Sequence, residues 1–201
     1  QHILGYSPIM TALAFLPFGA GIIVGAIVSS KLVTRFAPRE VAAPAALIGG
    51  AALFWLANIG QELNYMWHFM PAAFLTAFGF VGAVIALALT AVKGVQTQET
   101  GIASALFNAS QQIGVALGLA VLSTIAVSAT AGRLPGALAA LYRGRETGDA
   151  GLVRSASDAL IHGYGLALAG AGAALVIAAV IAAVLVNAKR GQVSTGTIAV
   201  H

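Results

Sequence analysis

Four uncharged polar residues, Ser104, Asn108, Gln111 and Gln112, stand inside an apolar stretch with no charged residue between Glu99 and Arg133. About 20 residues suffice to cross a bilayer as a helix, and this stretch is longer. At about 100° per residue, Ser104, Asn108, Gln111, Val115, Gly118 and Leu122 fall within about 40° of one line along such a helix. Gln112 flanks that line on one side and Gly114 on the other. An amide or hydroxyl in hydrocarbon is costly unless it meets a partner or water, so the stripe is expected to face protein or an aqueous cavity. Its chemistry is hydrogen bonding, to a neighbouring helix or to a solute in the cavity. The first use is worth about 0.6 to 2 kcal/mol in a membrane. Neither use moves a proton, because amides and hydroxyls do not titrate near neutral pH.

The titratable side chains lie elsewhere. Glu40, Glu62, Glu99, Glu146, Asp149 and Asp158 all fall at the ends of apolar runs or between them. A proton relay within a membrane needs an ionisable group inside a span, and none of these is placed for it. An intramembrane enzyme would need a nucleophile with a base, or metal-ligating His and Asp. The apolar runs contain no Asp, Glu or Cys, and His68 and His162 sit at their ends. A channel would need a repeated filter or a ring of charge, and neither is visible. No enzymatic activity, cofactor or metal is therefore expected.

The elements that must position the stripe follow from composition. The 201 residues are 59% hydrophobic and 8% charged, where soluble domains carry about 25% charged residues. Mean hydropathy is +0.93, so the chain reads as an all-α integral membrane protein. Charge-free runs mark five expected transmembrane helices, at about 9–30, 42–59, 69–92, 102–131 and 159–187. Pro17 lies inside the first and removes the donor for the Leu13 carbonyl, which predicts a kink. Gly21 and Gly25 form a G-x-x-x-G pair extended by Ser29, a pattern that lets a neighbouring helix approach closely or allows movement. Gly114 and Gly118 are expected to do the same in the fourth span. Thr76 and Thr90 can bond back to carbonyls of their own helix.

Basic residues orient the spans. Lys31, Arg35 and Arg39 crowd one short loop, 31–40, which is expected on the cytoplasmic side. Lys93 and the pair Lys189 and Arg190 then fall on the same side. The segment 132–158 falls outside although it carries Arg133, Arg143, Arg145 and Arg154, and its composition allows a partly helical surface loop. Tyr65, Trp67, His68, His162 and Tyr164 are expected at the outer interface as anchoring residues. Residues 191–201 are expected to form a disordered cytoplasmic tail. The ten basic residues are spread over several loops and the tail, so nucleic acid is not an expected partner. The chain opens Gln1-His2-Ile3, with no initiator Met and no basic leader, and its start is expected to be internal to a longer protein.

Three segments resemble the C-terminal half of a major facilitator superfamily transporter, and more narrowly the fourteen-helix drug:proton antiporter branch. LGYSPIMTALAFLPFGAGIIVGA, Leu4–Ala26, is similar to that branch's tenth helix and the turn leading into it. SKLVTRFAPRE, Ser30–Glu40, resembles the cytoplasmic loop motif G-x-L-x-D-R-x-G-R-R. Ser30, Leu32, Arg35 and Arg39 keep its frame, whereas Thr34 and Ala37 replace its acidic residue and its glycine. GIASALFNASQQIGVALGLAVL, Gly101–Leu122, is similar to the thirteenth helix.

The resemblance implies five of the six helices of a C-terminal bundle, in a bacterial inner (plasma) membrane, with a cytoplasmic C-terminus. It implies a missing N-terminal half that carries the coupling carboxylate. The implied partners are the lipid bilayer, a small-molecule substrate and protons, and the implied activity is efflux of drugs or other amphipathic molecules by alternating access. Ser104, Asn108, Gln111 and Gln112 would then line one wall of the pathway. The competing reading is a small five-span structural or assembly subunit without transport activity of its own.

Overall fold

The computed structural model describes residues 8–58, 65–91 and 99–185. The expected tail at 191–201, Glu62, Lys93, Lys189 and Arg190 lie outside the described residues. Helix α1 spans Pro8–Ala14 and α2 Leu16–Val33. Helix α3 spans Pro38–Ala57, and a π-helical turn at Tyr65–Phe69 leads into α4, Met70–Ala91. Helices α5, α6 and α7 span Thr100–Arg133, Ala137–Thr147 and Ala150–Leu185. Among the described residues, five helical segments, with α1 and α2 counted as one, are long and apolar enough to cross a membrane.

The first span breaks at Phe15, between α1 and α2, two residues before Pro17. The Phe15 amide is shared between the carbonyls of Thr11 (3.2 Å) and Ala12 (3.1 Å), and regular bonding resumes with Gly19 donating to Phe15 O. The loop expected at 31–40 is shorter, only residues 34–37. Helix α2 continues through Lys31, whose cation suits a helix C-terminus. Helix α3 opens early because Pro38 fits a first turn and the Glu40 carboxylate accepts the Ala37 amide at 3.0 Å.

The segment expected as an outer loop at 132–158 is mostly helix. Gly136 and Gly148, with φ of 71° and 73°, take left-handed conformations that reverse the chain around α6. Asp149 starts α7 by accepting the amides of Gly151 and Leu152, both at 3.0 Å. At about 1.5 Å per residue, α5 with 34 residues and α7 with 36 are each over 50 Å long, well beyond a hydrocarbon core of about 30 Å. The surplus of α7 pairs with α6 around a small core of Ala137, Leu141, Ala156, Ala159 and Leu160.

In the bundle proper, α3 lies between α4 and α7, with α2 beyond α4 and α5 beyond α7. Alanines build the contacts: Ala42 and Ala86 with Ala182, and Ala45, Ala46 and Ala83 with Ala179. Small residues bring helix backbones close, which drives association where lipid removes the hydrophobic effect between helices. Half of the apolar window of α3 is buried, against 6% for α5. Helix α3 is the centre of the layer, and α5 is its open edge.

Candidate functional site

Helix α5 meets α7 through its second half. The Leu122 and Ile125 methyls stand 3.2 and 3.7 Å from where a Cβ on Gly170 would lie. A Cβ on Gly163 would run into the Thr130 hydroxyl and come within 2.5 Å of the Ala126 carbonyl oxygen. Leu122 belongs to the line that carries the polar stripe, and Ala126 lies within about 40° of it. One face of α5 therefore packs on α7 below Leu122 and presents Ser104, Asn108 and Gln111 above it. Ile102, Leu106, Ile113 and Leu117 lie within about 40° of the opposite line and are 61 to 70% exposed. That arc suits acyl chains, and the stripe faces away from it.

Along the stripe, Ser104 is half-buried, while Asn108, Gln111 and Gln112 are exposed. A Cβ on Gly114 or on Gly118 would have nothing within 4 Å. Among the described residues nothing makes the expected close approach at those two glycines. Contact with α7 occurs instead where glycines of α7, Gly163 and Gly170, face larger residues of α5.

Gly21 and Gly25 sit against the backbone of α4. A Cβ on Gly25 would fall 2.7 Å from the Phe78 carbonyl oxygen, and one on Gly21 would collide with that of Phe74. Ser29 continues the contact and is 3% exposed beside Gly82. Pro17 stands just inside α2, after the break. Arg35 and Arg39 are exposed at the α2–α3 turn, with Lys31. Thr90 does bond back, its hydroxyl donating to Ala86 O at 2.8 Å. Thr76 does not: its buried hydroxyl has no hydrogen-bond partner among the described residues, contrary to the expectation.

Some packing positions were not singled out from sequence. Gly79 meets the backbone of α3 at Ala45 and Gly49, and Gly172 meets the Gly50 carbonyl across the α3–α7 crossing. A small residue at helical spacing is visible in one sequence, but its partner helix is not. Pro44, inside α3, also passed without notice among the alanines.

Apolar helices with small-residue crossings, and a polar stripe on one of them opposite its bulky apolar arc, define a multi-pass membrane protein. Residues 1–119 match the family model for the Major Facilitator Superfamily, and the chain belongs to that family. It is 36% identical over 194 residues to a puromycin resistance protein of Streptomyces alboniger, covering 94% of this chain and 36% of that protein. It is 34% identical over 143 residues to the cephamycin export protein of Amycolatopsis lactamdurans, covering 71% and 29%. An uncharacterised transporter of this family from Mycobacterium tuberculosis, EfpA, is 32% identical over 180 residues, covering 88% and 32%. The chain thus spans about a third of the length of these relatives.

Proposed function

We propose that this chain forms most of the C-terminal bundle of a proton-coupled exporter of amphipathic, drug-like molecules, working by alternating access. We further propose that Ser104, Asn108, Gln111 and Gln112 line its substrate pathway. The observation that carries the reading is the orientation of the stripe. It lies opposite the bulky arc of α5 and on the same line as the α7 contact, yet three of its four polar residues are exposed. A face turned from lipid and left open by its own bundle is suited to a second bundle and a water-filled cleft between them. Amides there offer donors and acceptors without fixed charge, which suits varied solutes. The names of the relatives, for puromycin resistance and cephamycin export, point in the same direction.

In this reading the coupling carboxylate belongs to the N-terminal half of the longer protein. Glu99 and Asp149 lie at helix starts, Asp158 lies two turns inside α7 on the stretch that pairs with α6, and Glu40 is engaged in the first turn of α3. The bundle sits in a bacterial inner membrane with the Arg35 and Arg39 turn on the cytoplasmic side. The test uses the full-length protein in a drug-sensitive host. Asn108→Ala and Gln112→Ala are expected to change the relative resistance to different compounds several-fold at unchanged expression. Loss of resistance in step with loss of protein, or no change in either, would assign the stripe to packing.

A further inference from the structure

The two proline-linked irregularities of the bundle lie side by side. Neither Pro17 nor Pro71 has an N–H to give the carbonyl four residues earlier, and each stands next to a departure from α-helix. Beside Pro17 the chain breaks at Phe15; before Pro71 it winds into the π-helical turn at Tyr65–Phe69. The Phe15 ring meets the Phe69 ring edge-on, centroids 5.8 Å apart, and meets Phe18 at 6.3 Å. Below this level α2 and α4 are locked, with Gly21 and Gly25 against the backbone at Phe74 and Phe78. Phe74 and Phe78 stack on one another at 6.3 Å. A tight, glycine-dependent contact thus ends where both chains leave regular α geometry, and an aromatic pair joins them there. Kinks and π-turns of this kind are where helices bend at low cost.

We propose that Pro8–Phe15 and the turn at Tyr65–Phe69 move together as one gate segment at the outer end of the bundle. The hinges are at Pro17 and Pro71, and the Phe15–Phe69 contact is the coupling between the two strands of the gate. The gate rests on the transport reading above and adds to it the element that closes the outer side. Phe15 is 51% exposed, so its ring is free to leave Phe69 without opening a buried core.

The experiment uses the full-length protein with any cysteines elsewhere replaced, since this chain has none. Spin labels are placed in pairs, by Met10→Cys, Trp67→Cys or Ile22→Cys, each with Val127→Cys at the outer part of α5. Their distances are measured in lipid by pulsed electron resonance, at acid and neutral pH. The expected result is two distance populations for the Met10 and Trp67 pairs, changing in parallel with pH, and one population for the Ile22 pair. Phe69→Ala is expected to make the two tips change independently, and Pro17→Ala to collapse the Met10 pair to one population. A single narrow population for both tips, or the same change in the Ile22 pair, would overturn the gate. The distance readout needs no transported compound. Failure to detect export of any drug would therefore count against the transport reading, while the distances alone would still decide the gate.

Discussion

Gly25 has no room for a side chain. A Cβ there would lie 2.7 Å from the Phe78 carbonyl oxygen and 3.0 Å from the Phe78 Cα, both backbone atoms that cannot rotate aside. Gly25→Leu is expected to destabilise the α2–α4 contact by about 1–3 kcal/mol or more, because overpacking must move a helix. Thermal unfolding of the full-length protein in detergent checks this. Gly19→Ala, where a Cβ meets nothing within 4 Å, is the control expected to leave the melting temperature unchanged. Equal melting for Gly25→Leu and wild type would mean that the contact is looser than described. At this scale the sequence was partly legible. Gly21, Gly25 and Ser29 recur every four residues, so one close-packing face could be read directly. Gly114 and Gly118 have the same spacing, yet they stand in open space. Spacing within one helix reports which residues share a face and says nothing about what faces them. Thr76 makes the same point, since its hydroxyl has the local option of Thr90 and does not take it.

The helical hairpin of α6 and the start of α7 goes further than the partly helical surface loop that composition allowed. Charges in 132–158 make the segment read as a loop, because a search for spans looks for their absence. The helical signal lay in spacing: Ala137, Leu141 and Gly144 on α6, and Val153, Ala156 and Leu160 on α7, recur at three and four residues. Those faces close on each other, and Leu141 is fully buried at their centre. Leu141→Ala is expected to cost the hairpin about 2–5 kcal/mol, as for other buried leucines. Hydrogen exchange over residues 134–160 in the full-length protein measures it, with faster exchange confined to that segment. Unchanged exchange there would contradict the packing, and faster exchange throughout α5 and α7 would show that the hairpin supports the whole pair. The five apolar helices themselves were legible, since lack of charge over a span is a strong signal. Their ends were not, because caps such as Asp149 and Glu40 extend helices into polar sequence.

In the whole molecule the helices form an asymmetric layer, with α3 enclosed and α5 open along the face that carries its polar groups. A bundle complete in itself would turn such groups toward a neighbour. Here the bulky apolar arc of Ile102, Leu106, Ile113 and Leu117 is opposite, so the open face needs either another bundle or water. The pathway reading requires both. The most direct measurement is thiol accessibility in the full-length protein, in membranes. Ser104→Cys, Asn108→Cys and Gln111→Cys are compared with Ile113→Cys and Leu117→Cys for reaction with a charged, membrane-impermeant thiol reagent. The stripe positions are predicted to react at least tenfold faster than the lipid-facing pair, and to be protected when an exported drug is present. Stripe thiols as inert as those at 113 and 117, with export intact, would contradict the account.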